Sequence, residues 1–408
     1  MLDTPSQIPQ RAVLMLIILT ALLSGQNDQD AVRPFVGLGG PGGRASGLAQ
    51  AFTGIADDAT ALYYNPAGLA HLVKTEISLG FHYLGVSTEV SPSGTSSPAT
   101  ITATRLGNVG LALPVAHTKL TVAAAYHLLR SFEHQRELNS AESRFRITEE
   151  GSIAAVALGA GYQVSSKLAL GAALEVFTGH NKYTENSAFF TGSVQDSTDF
   201  VRIEPSYSGV GLNLGVLLAP VPRWRVGLLV RSPQKVAIKE EFSATGISPD
   251  NYNYESLASY SLRLGSSLTA GPLIFSGDMI WFDYSQIRFK SNLVDLIDSA
   301  EVPIDIGIND TLRNQYASTV GYAVGGELLV PFMNLKLRAG YRRDPPIMRE
   351  SFPRMIQQTV ALGMSVVPVP QIKIDLAVNF TVWRRELNDG SSELTTAALG
   401  WLSFAYRL

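Results

Sequence analysis

The stretch Ile372-Lys373-Ile374-Asp375-Leu376-Ala377-Val378-Asn379-Phe380-Thr381-Val382 alternates without a break. Its even-numbered residues are all apolar, and its odd-numbered residues are polar or small. Successive side chains on a strand point to opposite faces, so this segment buries one face only. The theme recurs. Leu168, Leu170, Leu174 and Val176 oppose Ala169, Gly171, Ala173 and Glu175. Trp224, Val226, Leu228 and Val230 oppose Arg223, Arg225, Gly227 and Arg231. In a soluble sandwich the apolar face is core. In a membrane barrel it meets lipid, and the polar face lines the lumen. Alternation alone leaves both open.

Connection lengths separate them. Alternating stretches fall near 75–90, 105–115, 118–132, 152–164, 167–180, 207–219, 223–242, 258–270, 273–289, 317–331, 334–343, 355–368, 371–385 and 394–408, fourteen in all. Short turns at 116–117, 165–166, 220–222, 271–272, 332–333 and 369–370 alternate strictly with long polar loops at 91–104, 133–151, 181–206, 243–257, 290–316, 344–354 and 386–393. All tight turns therefore lie at one end, the pattern of short periplasmic turns and long extracellular loops in outer-membrane barrels. Most stretches exceed the ~9–11 residues a tilted strand needs to cross a bilayer. The expected fold is all-β: a 14-stranded antiparallel transmembrane β-barrel spanning residues 75–408.

Composition agrees. Only 16% of the 408 residues are charged, below the ~25% of soluble domains. A net charge of −3 and no long basic run argue against nucleic acid. With no cysteine there is no disulfide, thiolate metal site or cysteine nucleophile. Arg11 followed by the apolar run Ala12 to Leu23 reads as a signal peptide over residues 1–25, with a linker over 26–34. The last stretch, with Phe404 and Tyr406 in one phase, resembles the terminal-strand signal read by the outer-membrane assembly machinery.

Residues 35–74 do not alternate. Glycines from Gly37 to Gly47 lack the strand before and the Gly-Lys-Ser/Thr after that a phosphate cradle requires. The runs Gly-Leu-Ala-Gln-Ala-Phe-Thr-Gly-Ile-Ala-Asp-Asp-Ala (47–59) and Tyr-Tyr-Asn-Pro-Ala-Gly-Leu (63–69) closely resemble the FadL/TodX family of outer-membrane transporters for long-chain fatty acids and other hydrophobic compounds. The resemblance implies an N-terminal hatch inside a 14-stranded barrel, marked here by Asp57, Asp58, Asn65, Pro66, Ala67 and Gly68. It implies a hydrophobic or lipid ligand bound in the lumen and released sideways beside a kinked third strand. The third stretch here, Lys119 to Phe132, carries neither Gly nor Pro. PorV-like barrels, which bind exported proteins in a secretion system, share the N-terminal signature and form the alternative.

Inward phase nominates lumen-lining residues. Leu129, Leu217, Leu229, Leu329 and Trp401 offer an apolar path; Arg223, Arg225, Lys336 and Arg338 offer cations for a carboxylate headgroup or partners for wall acids such as Glu175, Asp278, Glu327 and Asp375. Asn65, with an amide that donates and accepts, is the expected anchor of the hatch to the wall. His82, His127 and Ser78 share an inward phase, but no Gly-x-Ser-x-Gly or His-Glu-x-x-His accompanies them, so no enzyme is expected. No cofactor or metal is expected. The reading is passive outer-membrane transport of long-chain fatty acids or aromatic hydrocarbons.

Overall fold

A computed structural model describes residues 28–37, 39–91, 99–139, 143–191, 194–297, 300–349, 356–386 and 392–408. The expected signal peptide, residues 1–25, lies outside the described residues, as do linker positions 26 and 27.

Fourteen strands form one antiparallel ring. They are β1 (Glu76–Ser91), β2 (Ala99–Pro114), β3 (Leu120–Ser131), β4 (Ser143–Ser165), β5 (Leu168–Thr191), β6 (Val194–Val221), β7 (Trp224–Arg231), β8 (Ser261–Ala270), β9 (Leu273–Asp283), β10 (Ser318–Val330), β11 (Leu335–Asp344), β12 (Gln357–Val369), β13 (Ile372–Glu386) and β14 (Ser392–Arg407). Each pairs with the next, and a ladder from Glu76↔Arg407 to Ser91↔Ser392 joins β1 to β14. Closure leaves no unpaired edge, the condition for strands to span lipid.

The outer wall is an apolar belt. On β13, Leu376, Val378, Phe380 and Val382 all project outward and are 42–54% exposed. Their odd-numbered neighbours Asp375, Asn379 and Thr381 are buried inside. So apolar side chains face out and polar ones in, the inverse of a soluble domain. A charge at mid-membrane on the outer face costs ~2–4 kcal/mol. Leu376→Arg should therefore shift the urea midpoint for folding into lipid vesicles far below that of Leu376→Ala. Equal midpoints for the two would refute the assigned face.

Several segments expected as loops are ladder instead. Strands β4, β5 and β6 run 23, 24 and 28 residues, well beyond the belt. With water on both sides such extensions need no apolar alternation, so periodicity did not reveal them. The stretch 223–242, expected as one strand, breaks after Arg231. Pro233 has no N–H to donate, and Lys235–Ala244 leaves the ring to pair with the upper part of β6 and with Ile247–Leu257. The stretch 273–289 stops at Asp283, whose side chain accepts from Ser285 N and starts a short 3-10 turn. The loop 290–316 holds a helix, Ile304–Gln315, that buries Ile308 and Leu312, one turn apart.

Residues 40–69 fill the lumen. Every one of them is buried except half-buried Asp57. The wall makes room with glycine. Gly161, Gly171 and Gly215 are direct cross-strand neighbours on β4, β5 and β6. A Cβ on Gly171 would lie 2.2 Å from the Pro66 carbonyl carbon, and one on Gly215 would lie 2.2 Å from Asn65 Oδ1. On the opposite wall, a Cβ on Gly340 would lie 2.5 Å from the Leu48 carbonyl carbon. Only glycine fits where two backbones approach this closely.

Candidate functional site

The internal segment is tied to the wall by side chains rather than by strand pairing. Asn65 is fully buried and donates to Thr53 O at 3.1 Å and to Val216 O of β6 at 3.0 Å; its Oδ1 accepts from Ala67 N at 3.2 Å. Pro66, Ala67 and Gly68 follow in a buried 3-10 turn. Wall carboxylates supply further anchors. Asp278 Oδ2 accepts from Phe52 N, Thr53 N and Thr53 Oγ1 at 2.6–3.2 Å. Glu76 accepts from Ala59 N at 2.9 Å and from Arg407 Nε at 2.7 Å.

A buried ionic cluster fixes the start of the segment. Glu327 lies 2.9 Å from Arg44 Nε, 2.7 Å from Arg338 Nε and 3.1 Å from Lys336 Nζ. Arg338 also reaches Asp375 at 3.0 Å, where Lys373 pairs at 3.1 Å. Arg44 also pairs with Asp57. Asp58 accepts from Thr60 N at 3.0 Å, the geometry of a local turn.

The nominated lumen residues divide into three sets. Lys336 and Arg338 face inward but are engaged by Glu327 and Asp375, so they hold the internal segment and leave no free headgroup site. Leu217 is buried against Ala67 and Ala169; Leu229 is fully buried; Trp401 lies 5.3 Å from the His82 ring. These three pack and do not line an open path. Leu329 and Arg223 depart from the expectation: Leu329 is 44% exposed near the end of β10, and Arg223 is exposed in the turn between β6 and β7. Their phase is inward, but the wall ends there and solvent takes over. Arg225 is half-buried one residue pair higher.

Above the internal segment lies a cavity of about 450 Å³. Phe35, Tyr63, Phe282, Tyr284 and Trp383 give it aromatic surface. Arg130, Arg231 and Arg263 also line it, and none of the three is ion-paired among the described residues. Arg130 Nε donates to Pro34 O at 2.9 Å, and Arg231 stacks 4.1 Å from the Tyr63 ring centre while donating to Tyr63 O at 2.9 Å. Residues Asp28–Val32 and Arg33–Phe35 cross the roof of this region. There Ala31, Val32 and Phe35 share a core with Ile238, Tyr254, Ile308 and Leu312 of the outer loops. In that cap, burial beside Asp30 pushes Glu240 up to about 7, and Tyr254 donates to its carboxyl at 2.7 Å.

One side of the cavity wall is interrupted. The ladder between β2 and β3 stops at the Asn108–His127 pair, although β2 continues beside β1 up to Ala99. At the same level β3 bulges at Leu129, where its register with β4 shifts between Leu128 and Arg130. A bulge kinks a strand without Gly or Pro. Across the break the link is a side chain: Arg105 Nε donates to Glu133 at 2.9 Å. Half-buried Leu129, nominated from its phase on β3, sits at this break in the ladder.

The comparisons with known proteins fit this architecture. A comparison with curated protein sequences finds no match. A Pseudomonas aeruginosa FadL homologue superposes with a TM-score of 0.66 at 13% identity, covering 90% of this chain and 98% of that one. The toluene transporters TbuX of Ralstonia pickettii and TodX of P. putida each superpose with a TM-score of 0.58, at 13% and 14% identity, over 89% of this chain and 98% of theirs. A family model described as outer membrane protein transport protein (OMPP1/FadL/TodX) matches residues 42–399. The chain therefore belongs to the FadL/TodX family of outer-membrane transport channels for hydrophobic compounds.

Proposed function

We propose that this chain carries hydrophobic compounds with an anionic end, of the fatty-acid type, rather than neutral hydrocarbons. The observation behind this is the trio Arg130, Arg231 and Arg263 in an aromatic cavity, none of which closes an ion pair within 4 Å among the described residues. A neutral hydrocarbon would gain nothing from three desolvated guanidinium groups. A carboxylate accepts paired N–H bonds from such a group, while the aromatic side chains cover the alkyl chain. The cargo arrives under the cap, settles above the internal segment, and leaves through the break between β2 and β3 into the bilayer. Transport is passive, driven by the gradient and by dissolution of the tail in lipid. The family match favours this conduit over a role in binding secreted proteins.

Binding of a long-chain fatty acid and of the alcohol of equal length tests the reading. Hydrogen bonds to charged groups are worth ~1.5–3 kcal/mol each. Replacing Arg130 and Arg263 together by Gln should weaken acid binding at least about tenfold and leave alcohol binding within about twofold. Equal wild-type affinity for acid and alcohol would remove the anionic reading while leaving hydrophobic transport intact.

A further inference from the structure

The break between β2 and β3 has a frame. Below, the ladder ends at the Asn108–His127 pair. On one flank β2 continues from Leu106 to Ala99 paired with β1 only, among the described residues. On the other flank β3 runs on to Ser131 paired with β4. Above, the strand His134–Asn139 packs beside β1 and β2, and its ladder runs to the outer part of β4. Arg136 of that strand reaches Glu393 of β14 at 3.8 Å, which ties it across the mouth. The frame encloses a window in the hydrogen-bonded wall.

The window starts inside the apolar belt. Leu106 and its cross-strand neighbour Phe81 point outward and are 39% and 40% exposed. Arg105, on the next rung beside buried His82, turns inward. A bare strand edge is not tolerated in hydrocarbon, because its N–H and C=O groups find no partner there. Something must stand across the window at rest. Arg105 Nε donates to Glu133 at 2.9 Å, and Nη2 donates to the same carboxylate oxygen. Ser131 Oγ donates to the other oxygen. The Glu133 side chain is 1% exposed, and Glu133 also lines the cavity. The ion pair thus stands between the cavity and the belt. Glu133 belongs to no strand, so the pair can part without undoing a ladder.

We infer that Arg105 and Glu133 form an exit gate, which opens for a cargo whose anionic end takes the place of Glu133 on Arg105. The inference rests on the proposed passage through this break. A buried ion pair adds little stability that apolar packing would not supply. As a gate it has a property that apolar packing lacks. An alkyl chain cannot part it, since each charge left behind would be buried without a partner. A carboxylate can, because it offers Arg105 the same paired acceptors as Glu133. Arg105 is therefore a second point of selection for anionic cargo, after the arginines of the cavity.

The chain has no cysteine, so Arg105→Cys with Glu133→Cys gives a clean test. Uptake of a long-chain fatty acid and of the alcohol of equal length is measured in cells with and without the barrel. The wild type should take up the acid several-fold faster than the alcohol. The reduced cysteine pair has no gate, and its alcohol uptake should rise to near that of the acid. A short reducible thiol cross-linker should bring both rates down to those of cells lacking the barrel, and reductant should restore them. Affinity of the purified barrel for either probe should stay unchanged throughout, which general damage to the fold would not allow. Arg105→Gln with Glu133→Gln should repeat the open state without cysteine. Cross-linked barrels transporting as fast as reduced ones would overturn the gate, as would a wild-type ratio of acid to alcohol uptake in both open variants. Equal affinity of the wild type for acid and alcohol would instead remove the reading of the cavity arginines, and the gate would still stand on the uptake ratio.

Discussion

Asn65→Leu is expected to release the internal segment from the barrel and raise ion conductance in planar bilayers. The side chain makes three hydrogen bonds in a fully buried site. Leucine is close in size but makes none of these bonds, and it leaves Thr53 O and Ala67 N without their side-chain partner. Each buried orphan costs ~1–3 kcal/mol, so the loss is several kcal/mol. Residues 40–69 pack on one another but do not close their core alone. Their core is completed by wall residues Ala112, Ala123, Ala125, Ala157 and Ala173. The barrel's own ladders do not pass through Asn65, so the ring should survive while the segment becomes cleavable by protease added to the periplasmic face. Asn65→Asp separates the contributions, because it keeps the acceptor to Ala67 N and loses both donations. It should fall between wild type and leucine. If Asn65→Leu leaves both conductance and protease resistance at wild-type levels, the segment neither depends on this anchor nor blocks the pore through it.

Alternation exposed the ring, because lipid on one side and a polar interior on the other impose period two on β13 and its neighbours. It did not expose the outer parts of β4, β5 and β6, where water on both faces removes the constraint. That Asn65 can bond to wall backbone was legible from amide chemistry, with Pro66 beside it. The ionic cluster was half legible. Inward phase placed Lys336, Arg338, Glu327 and Asp375 in the lumen but could not pair them with Arg44, nearly three hundred positions upstream. The arginines of the cavity were harder. Arg231 had an inward phase, but Arg130 follows the bulge at Leu129, and a one-residue bulge inverts the phase of everything after it. The most useful signal left unread was glycine. Gly161, Gly171, Gly215, Gly227, Gly265, Gly325 and Gly340 each present their missing Cβ to the internal segment or its anchors. Inward-phase glycine in an otherwise alternating strand marks where a second backbone touches the wall.

Glu327→Leu is expected to be the most damaging single change in the ionic cluster. The carboxylate sits 2% exposed among Arg44, Lys336 and Arg338, which all lie within 3.1 Å of it. Removing one partner of a buried ion pair costs ~3–5 kcal/mol, because the remaining charge stays desolvated and uncompensated. Here three cations lose their shared anion at once, and Asp375 and Asp57 alone remain to balance them together with Lys373. Arg44 belongs to the internal segment and the others to the wall, so repulsion acts between the segment and β10–β11. The expected phenotype is a folded ring with its first internal residues displaced, seen as faster hydrogen exchange at Gly43–Gly47. Added salt should restore little, since a buried cluster is poorly screened. Combining Glu327→Leu with Arg44→Met removes the cation on the segment side. Buried ion pairs replaced on both sides by apolar residues are often neutral. The double variant should therefore recover much of the exchange protection lost by the single one. Equal protection in wild type and Glu327→Leu would show that the segment is held without this cluster. A double variant as exposed as the single one would show that Arg44 acts through something other than Glu327.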